Sequence, residues 1–158
     1  MAESARLTPW SDPIITSTVV PMIPAILLWW VAGYRYTSMT LCAAIAASVM
    51  YHRVPFRRFT PWAIADVFLA VLTFLMSVFA IFERAAVLDE LAHMLLVATL
   101  LATACGFGSF HAASEAWKNG DEVEYRRNHV PWHLFVGIGQ CTASGYVCYV
   151  QKYLLGVQ

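Results

Sequence analysis

The stretch PWAIADVFLAVLTFLMSVFAIF, residues 61–82, decides the fold class, because it is an apolar run of membrane length that carries a single carboxylate, Asp66. Pro21 and Pro24 lie in another such run and are expected to kink its helix. In all, five runs predict membrane helices, the second of them short: Ile14–Tyr34, Thr37–His52, Pro61–Phe82, Leu91–Phe110 and Val130–Leu155. The predicted fold is therefore all-α, a polytopic transmembrane helix bundle of about five membrane helices.

The composition also indicates a membrane protein. Hydrophobic residues make up 59% of the chain and charged residues 13%, with a mean hydropathy of +0.60, whereas soluble domains carry about 25% charged residues. The 10 basic and 10 acidic residues cancel, so the chain lacks the basic surface that nucleic acid requires. Membrane lipids are the expected surroundings, and no nucleic-acid partner is expected.

The domain organisation is simple. The apolar runs follow one another too closely for a second domain, so residues 1–158 are predicted to form a single transmembrane domain. A polar stretch at about residues 111–128 is predicted to be an aqueous loop before the last helix. That helix is expected to begin at about His129, with Pro131 in its first turn, where the missing N–H is harmless.

Ionisable side chains at membrane depth mark the candidate site, because such residues are costly unless they pair or serve a function. His52, Asp66, His129 and His133 are of this kind, and the order of crossings puts all of them near one membrane face. The same face receives more basic residues than the other, which by the positive-inside rule makes it the cytoplasmic or matrix side. The basic residues on the site's side are Arg6, Arg53, Arg57, Arg58, Lys118, Arg126 and Arg127, against Arg35, Arg84 and Lys152 opposite.

Helical spacing groups these residues further. His129 and His133 are four residues apart and share a helix face, as do Ser48 and His52. Three imidazoles with a carboxylate, Asp66, and a hydroxyl favour a Zn²⁺ site. The alternative is a set of unrelated buried histidines, with Ser48 as a helix-packing residue and Asp66 paired with a nearby arginine.

In their order along the chain these motifs resemble the CREST superfamily, which includes alkaline ceramidases, adiponectin-type receptors, GPI-remodelling lipid hydrolases and myomaker-like proteins. Ser-x-x-x-His closes one membrane helix, Asp lies early in the next, and His-x-x-Trp-His opens the last. The resemblance implies a seven-helix zinc hydrolase fold in a shortened form, since one apolar run stands where the family has three. It also implies that His52, His129 and His133 bind Zn²⁺, that Asp66 orients or deprotonates the water, and that Ser48 supports the oxyanion.

The function that the resemblance implies is an integral-membrane, zinc-dependent, hydrolase-like activity on a lipid amide or ester, similar to that of a ceramidase. The missing helices favour a second hypothesis, a non-catalytic zinc-bearing accessory subunit of a larger membrane complex, for example in the mitochondrial inner membrane. A receptor or fusion factor is a third, without a distinguishing feature. The sequence leaves the organelle open between the ER or Golgi and the mitochondrial inner membrane.

Overall fold

The computed structural model of this protein describes residues 7–56, 60–84 and 89–156. All regular structure within these ranges is helical, which confirms the predicted all-α class for them. The described residues form six α-helices and a C-terminal π-helical turn, Val150–Leu154: α1 (Pro13–Val19), α2 (Met22–Val31), α3 (Arg35–His52), α4 (Pro61–Phe82), α5 (Glu90–Asn119) and α6 (Glu122–Tyr149).

The first predicted membrane helix is divided in two. Asp12 caps the start of α1 by accepting a hydrogen bond from the backbone N–H of Ile14. The helix ends at Val19, and α2 begins after Pro21, whose ring cannot continue the hydrogen-bond ladder of α1. The expected kink is therefore a short break between two helices.

In the part of the chain that the structure describes, three segments are long and apolar enough to cross a membrane, namely Pro13–Val31 (α1 with α2), α4 and α5. Large apolar side chains cover the outside of α4 and α5, and Phe68, Phe79 and Leu101 are each 63% exposed. A continuous surface of this kind requires lipid or another apolar partner. Membrane association of the three segments follows from their length and composition.

The remaining long helices, α3 and α6, are less apolar because they lie inside the bundle. α6 lies against α1, α2, α4 and α5, while α3 lies against α1, α2 and α4. Gln140 of α6 accepts hydrogen bonds from Trp29 Nε1 and from Ser77 Oγ, both at 3.0 Å. This buried amide joins three helices, and buried polar contacts of this type hold membrane helices together.

The predicted aqueous loop at about residues 111–128 is wrong. α5 continues to Asn119, Gly120 ends it in the left-handed conformation with φ 77°, and Asp121 caps α6 by accepting from the backbone N–H of Glu124. Polarity here marks where the two helices leave the apolar region, and ion pairs one turn apart support them in water. Since α6 begins at Glu122, Pro131 lies inside the helix and not in its first turn.

The contact between α6 and the break before α2 depends on one glycine. A Cβ atom at Gly137 would lie 2.3 Å from Cβ of Pro21 and 3.2 Å from its carbonyl carbon, whereas one at Gly145 would meet nothing within 4 Å. We expect Gly137→Ala to destabilise the protein by about 1–3 kcal/mol through overpacking. Gly145→Ala, on the same helix, is the matched control and is expected to be neutral or slightly stabilising. Thermal unfolding in detergent measures both, and equal midpoints would contradict the expectation.

Candidate metal centre

The three predicted histidines converge in the structure. His52 is the last residue of α3, and His129 and His133 lie one turn apart on α6. The Nε2 atom of His52 lies 3.1 Å from Nε2 of His129 and 3.2 Å from Nε2 of His133. All three residues are buried, with exposed fractions of 7%, 6% and 5%. They form a cluster that could hold a metal ion.

Two of the nitrogen–nitrogen separations in the cluster fit a tetrahedral ion. Two nitrogen ligands at 2.0–2.1 Å from such an ion are about 3.3 Å apart, close to the two separations measured from His52. Hydrogen bonding alone explains the arrangement poorly, because one ring nitrogen offers either a single N–H or a single lone pair and here faces two other nitrogens. A cation placed among three lone pairs accommodates all of them.

The imidazole of His129 is held by stacking. The Tyr125 ring lies one turn earlier on α6, with its centroid 4.7 Å from that of His129 and an interplanar angle of 25°. Nδ1 of His129 is buried and has no hydrogen-bond partner in the part of the chain that the structure describes. Metal-bound histidines usually donate from this nitrogen to a carboxylate or carbonyl, whereas here the contact that orients the His129 ring is its stacking with Tyr125.

Ser48 and Asp66 lie beside the cluster, on the wall of a cavity of about 300 Å³ that His133 also lines. Ser48 is one turn before His52 and buried, and Asp66 faces it from α4, close enough for their side chains to interact. Ser48 Oγ nevertheless makes no hydrogen bond of good geometry with the described residues. The structure therefore brings all five predicted site residues to one region.

The rest of the cavity is mostly apolar, although Ser77, Thr99 and Gln140 also line it, and it follows the helices away from the cluster. On α5 its lining extends from Thr99 to Phe110, which is about 16 Å at the helical rise. Phe74 of α4 and Phe107 of α5 meet edge to face, with ring centroids 6.2 Å apart. Both are exposed on the outside of the bundle, so the cavity reaches the lipid-facing side between α4 and α5.

Two tyrosines near the cluster were not predicted as site residues. The side chain of Tyr125 is 7% exposed, and it interacts with the side chain of Tyr51, the residue before His52. Tyr125 shares the four-residue register of His129 and His133. The four-residue spacing is the signal that could have identified Tyr125. From the sequence, the helix is expected to start at about His129, and Tyr125 then lies outside the helix.

The remaining histidines belong elsewhere. His93 and His111 are exposed, and Nδ1 of His93 lies 3.3 Å from the backbone oxygen of Asp89 at the start of α5, the end opposite to the cluster. At that end Tyr34 donates to Glu83 at 2.8 Å, and burial together with this hydrogen bond raises the pKa of Tyr34 to about 12.

Comparison of the chain with protein-family models, with curated proteins and with solved structures gave no match.

Proposed function

We propose that this protein is an integral-membrane, zinc-dependent hydrolase that cleaves an amide or ester bond of a lipid, as the resemblance to ceramidases implies. The observation that supports it best is the position of the apolar cavity directly against the histidine cluster. Ser48 and Asp66 lie on the cavity wall at that point. A lipid chain in the cavity would place its carbonyl group beside three imidazoles, a carboxylate and a hydroxyl.

The donor set supports zinc as the metal. Three imidazoles without a thiolate or a carboxylate ligand are typical of catalytic zinc, which keeps a fourth position open. When bound in such a site, zinc brings the pKa of water to about 7 and polarises a carbonyl group. The four cysteines are free and take no part in the cluster.

Asp66 and Ser48, beside the cluster, have different roles in the proposed hydrolysis. Asp66 accepts a proton from the water whose oxygen forms the new bond to the carbonyl carbon. Ser48 donates a hydrogen bond to the carbonyl oxygen as negative charge develops there. The carbon–nitrogen or carbon–oxygen bond then breaks, Asp66 passes its proton to the leaving amine or alkoxide, and a fatty acid and an amine or alcohol remain.

The lipid side of the cavity supports access from the membrane. α4 and α5 have little direct contact, since both lie mainly against other helices. The Phe74 and Phe107 rings lie at the boundary between them. The helices that the CREST superfamily has and this sequence lacks would follow α4. Without them, an acyl chain could enter the cavity sideways from the bilayer at this boundary.

The proposal is tested on protein purified in mild detergent. About one zinc per chain and cleavage of a palmitoyl amide lipid in mixed micelles, with little cleavage of the acetyl analogue, are the expected results. A preference for the long chain is expected because only the long chain fills the cavity. Bound zinc with no cleavage of amide or ester lipids, in a protein that migrates only within a large assembly, would reject the hydrolase in favour of the accessory subunit.

A further inference from the structure

A second, smaller cavity adjoins the histidine cluster. It has a volume of about 30 Å³ and is lined by Ile14, Tyr51, His52, Val54, Pro55, Phe56, Tyr125 and Arg126. None of these residues lines the large cavity. His52 belongs to the small cavity and His133 to the large one, so the cluster lies between two separate spaces. The smaller volume is enough to hold at least one water molecule.

The small cavity lies toward the aqueous ends of the helices. Val54 to Phe56 follow the end of α3, and Arg126 lies in the second turn of α6, before the apolar part of that helix. Arg126 is on the cavity wall together with His52. This side of the cluster is therefore the side that faces water.

One of the residues on the wall of the small cavity, Arg126, forms an ion pair. Arg126 Nη1 donates to both carboxylate oxygens of Asp12, at 2.9 and 2.8 Å, and Arg126 Nε donates to Glu122 at 3.0 Å. Asp12 caps α1, so the pair joins the start of α1 to α6. The Asp12 side chain is 14% exposed and that of Arg126 37%, so Asp12 is partly buried and Arg126 reaches solvent.

We infer that the small cavity is the route by which a divalent cation and water reach the histidine cluster from the aqueous side, and that the Asp12–Arg126 ion pair closes this route. The inference rests on the proposed metal site. The large cavity is a poor route for either, because its lining is mostly apolar and it opens toward lipid, where ions are very costly. Tyr51 and Tyr125 give the small cavity polar groups beside the cluster.

The kinetics of zinc exchange test this inference. The measurements are the rate at which purified apoprotein takes up Zn²⁺ and the rate at which a chelator removes it. Asp12→Asn keeps a side-chain oxygen for the α1 cap but weakens the ion pair. Both rates are expected to rise about tenfold, the effect of weakening a partly buried pair by about 1.4 kcal/mol, and zinc affinity is expected to stay unchanged.

Asp12→Asn also distinguishes closure of the route by the ion pair from electrostatic attraction of Zn²⁺ by the Asp12 carboxylate. The substitution removes a negative charge, so an electrostatic effect alone would slow zinc uptake. Arg127→Gln is the matched control, since Arg127 is the adjacent residue, is highly exposed and pairs only with Glu124 among the described residues, at 3.6 Å. It is expected to leave both rates unchanged.

The outcomes are distinct. Slower or unchanged uptake by Asp12→Asn would overturn the inference, as would a faster removal of zinc without faster uptake, which indicates a loosened site. Arg126→Gln, expected to accelerate both rates, gives a second variant should Asp12→Asn fail to fold. If the unaltered protein binds no zinc, the proposed function fails together with this inference, whereas bound zinc with unchanged exchange rates rejects the inference alone.

Discussion

His133→Ala is expected to lower zinc affinity by about a thousandfold, so that the purified protein retains almost no metal. Protein zinc sites contribute about 10–16 kcal/mol of binding free energy. If three imidazoles share about 12 kcal/mol equally, the loss of one costs about 4 kcal/mol, and each 1.4 kcal/mol is a factor of ten. His52→Ala and His129→Ala are expected to have the same effect, because all three Nε2 atoms meet in one cluster.

The matched control for His133→Ala is His93→Ala, since His93 is an exposed histidine at the opposite end of the bundle. Metal analysis of each variant after detergent purification measures the effect, and circular dichroism verifies that the helices remain. Equal zinc content in His133→Ala and in the unaltered protein would show that the cluster is a set of packed histidines and not a metal centre.

Asp66→Asn is expected to reduce the rate of lipid hydrolysis by about a hundredfold to ten-thousandfold while zinc stays bound. An amide side chain has nearly the same shape as the carboxylate but cannot accept the proton, and general base catalysis contributes about 10²–10⁴ to rate. Asp66 lies on the cavity wall and is not one of the clustered metal-ligand candidates. The loss should therefore appear in kcat and not in metal content.

Asp89→Asn is the matched control for Asp66→Asn. Asp89 caps α5 at the other end of the bundle by accepting from the backbone N–H of Ala92, and asparagine caps a helix equally well. It is expected to leave hydrolysis unchanged. Unaltered activity of Asp66→Asn would remove this residue from the mechanism, and loss of zinc from it would assign Asp66 to metal binding in place of proton transfer.

The residues that meet at and beside the histidine cluster were largely predictable because their signals are local. His129 and His133 lie four residues apart, Ser48 and His52 likewise, and Asp66 stands alone in an apolar run. Helical periodicity alone places each pair on one face. The cost of polar groups at membrane depth then suggests that they meet, and the structure brings the three histidines together with Ser48 and Asp66 beside them.

The helix boundary near residue 120 was not predictable in the same way. Polar composition at residues 111–128 indicates contact with water, but a helix with capped ends and ion pairs one turn apart is stable in water as well as in lipid. Gly120 and Asp121 are the local signals for the turn. Because the sequence predicts a loop for the whole stretch, it does not place Tyr125 on the helix face that carries the histidines.

The sequence by itself determined the helical class, three apolar segments of membrane length and the histidines that form the cluster, because these depend on composition and on spacing within one helix. Tertiary structure alone decided the contacts between distant parts of the chain: the bond of Trp29 with Gln140, the close approach of Pro21 to Gly137, and the ion pair of Asp12 with Arg126. No local pattern encodes such pairs, since they arise only when helices far apart in sequence pack at one particular register and angle.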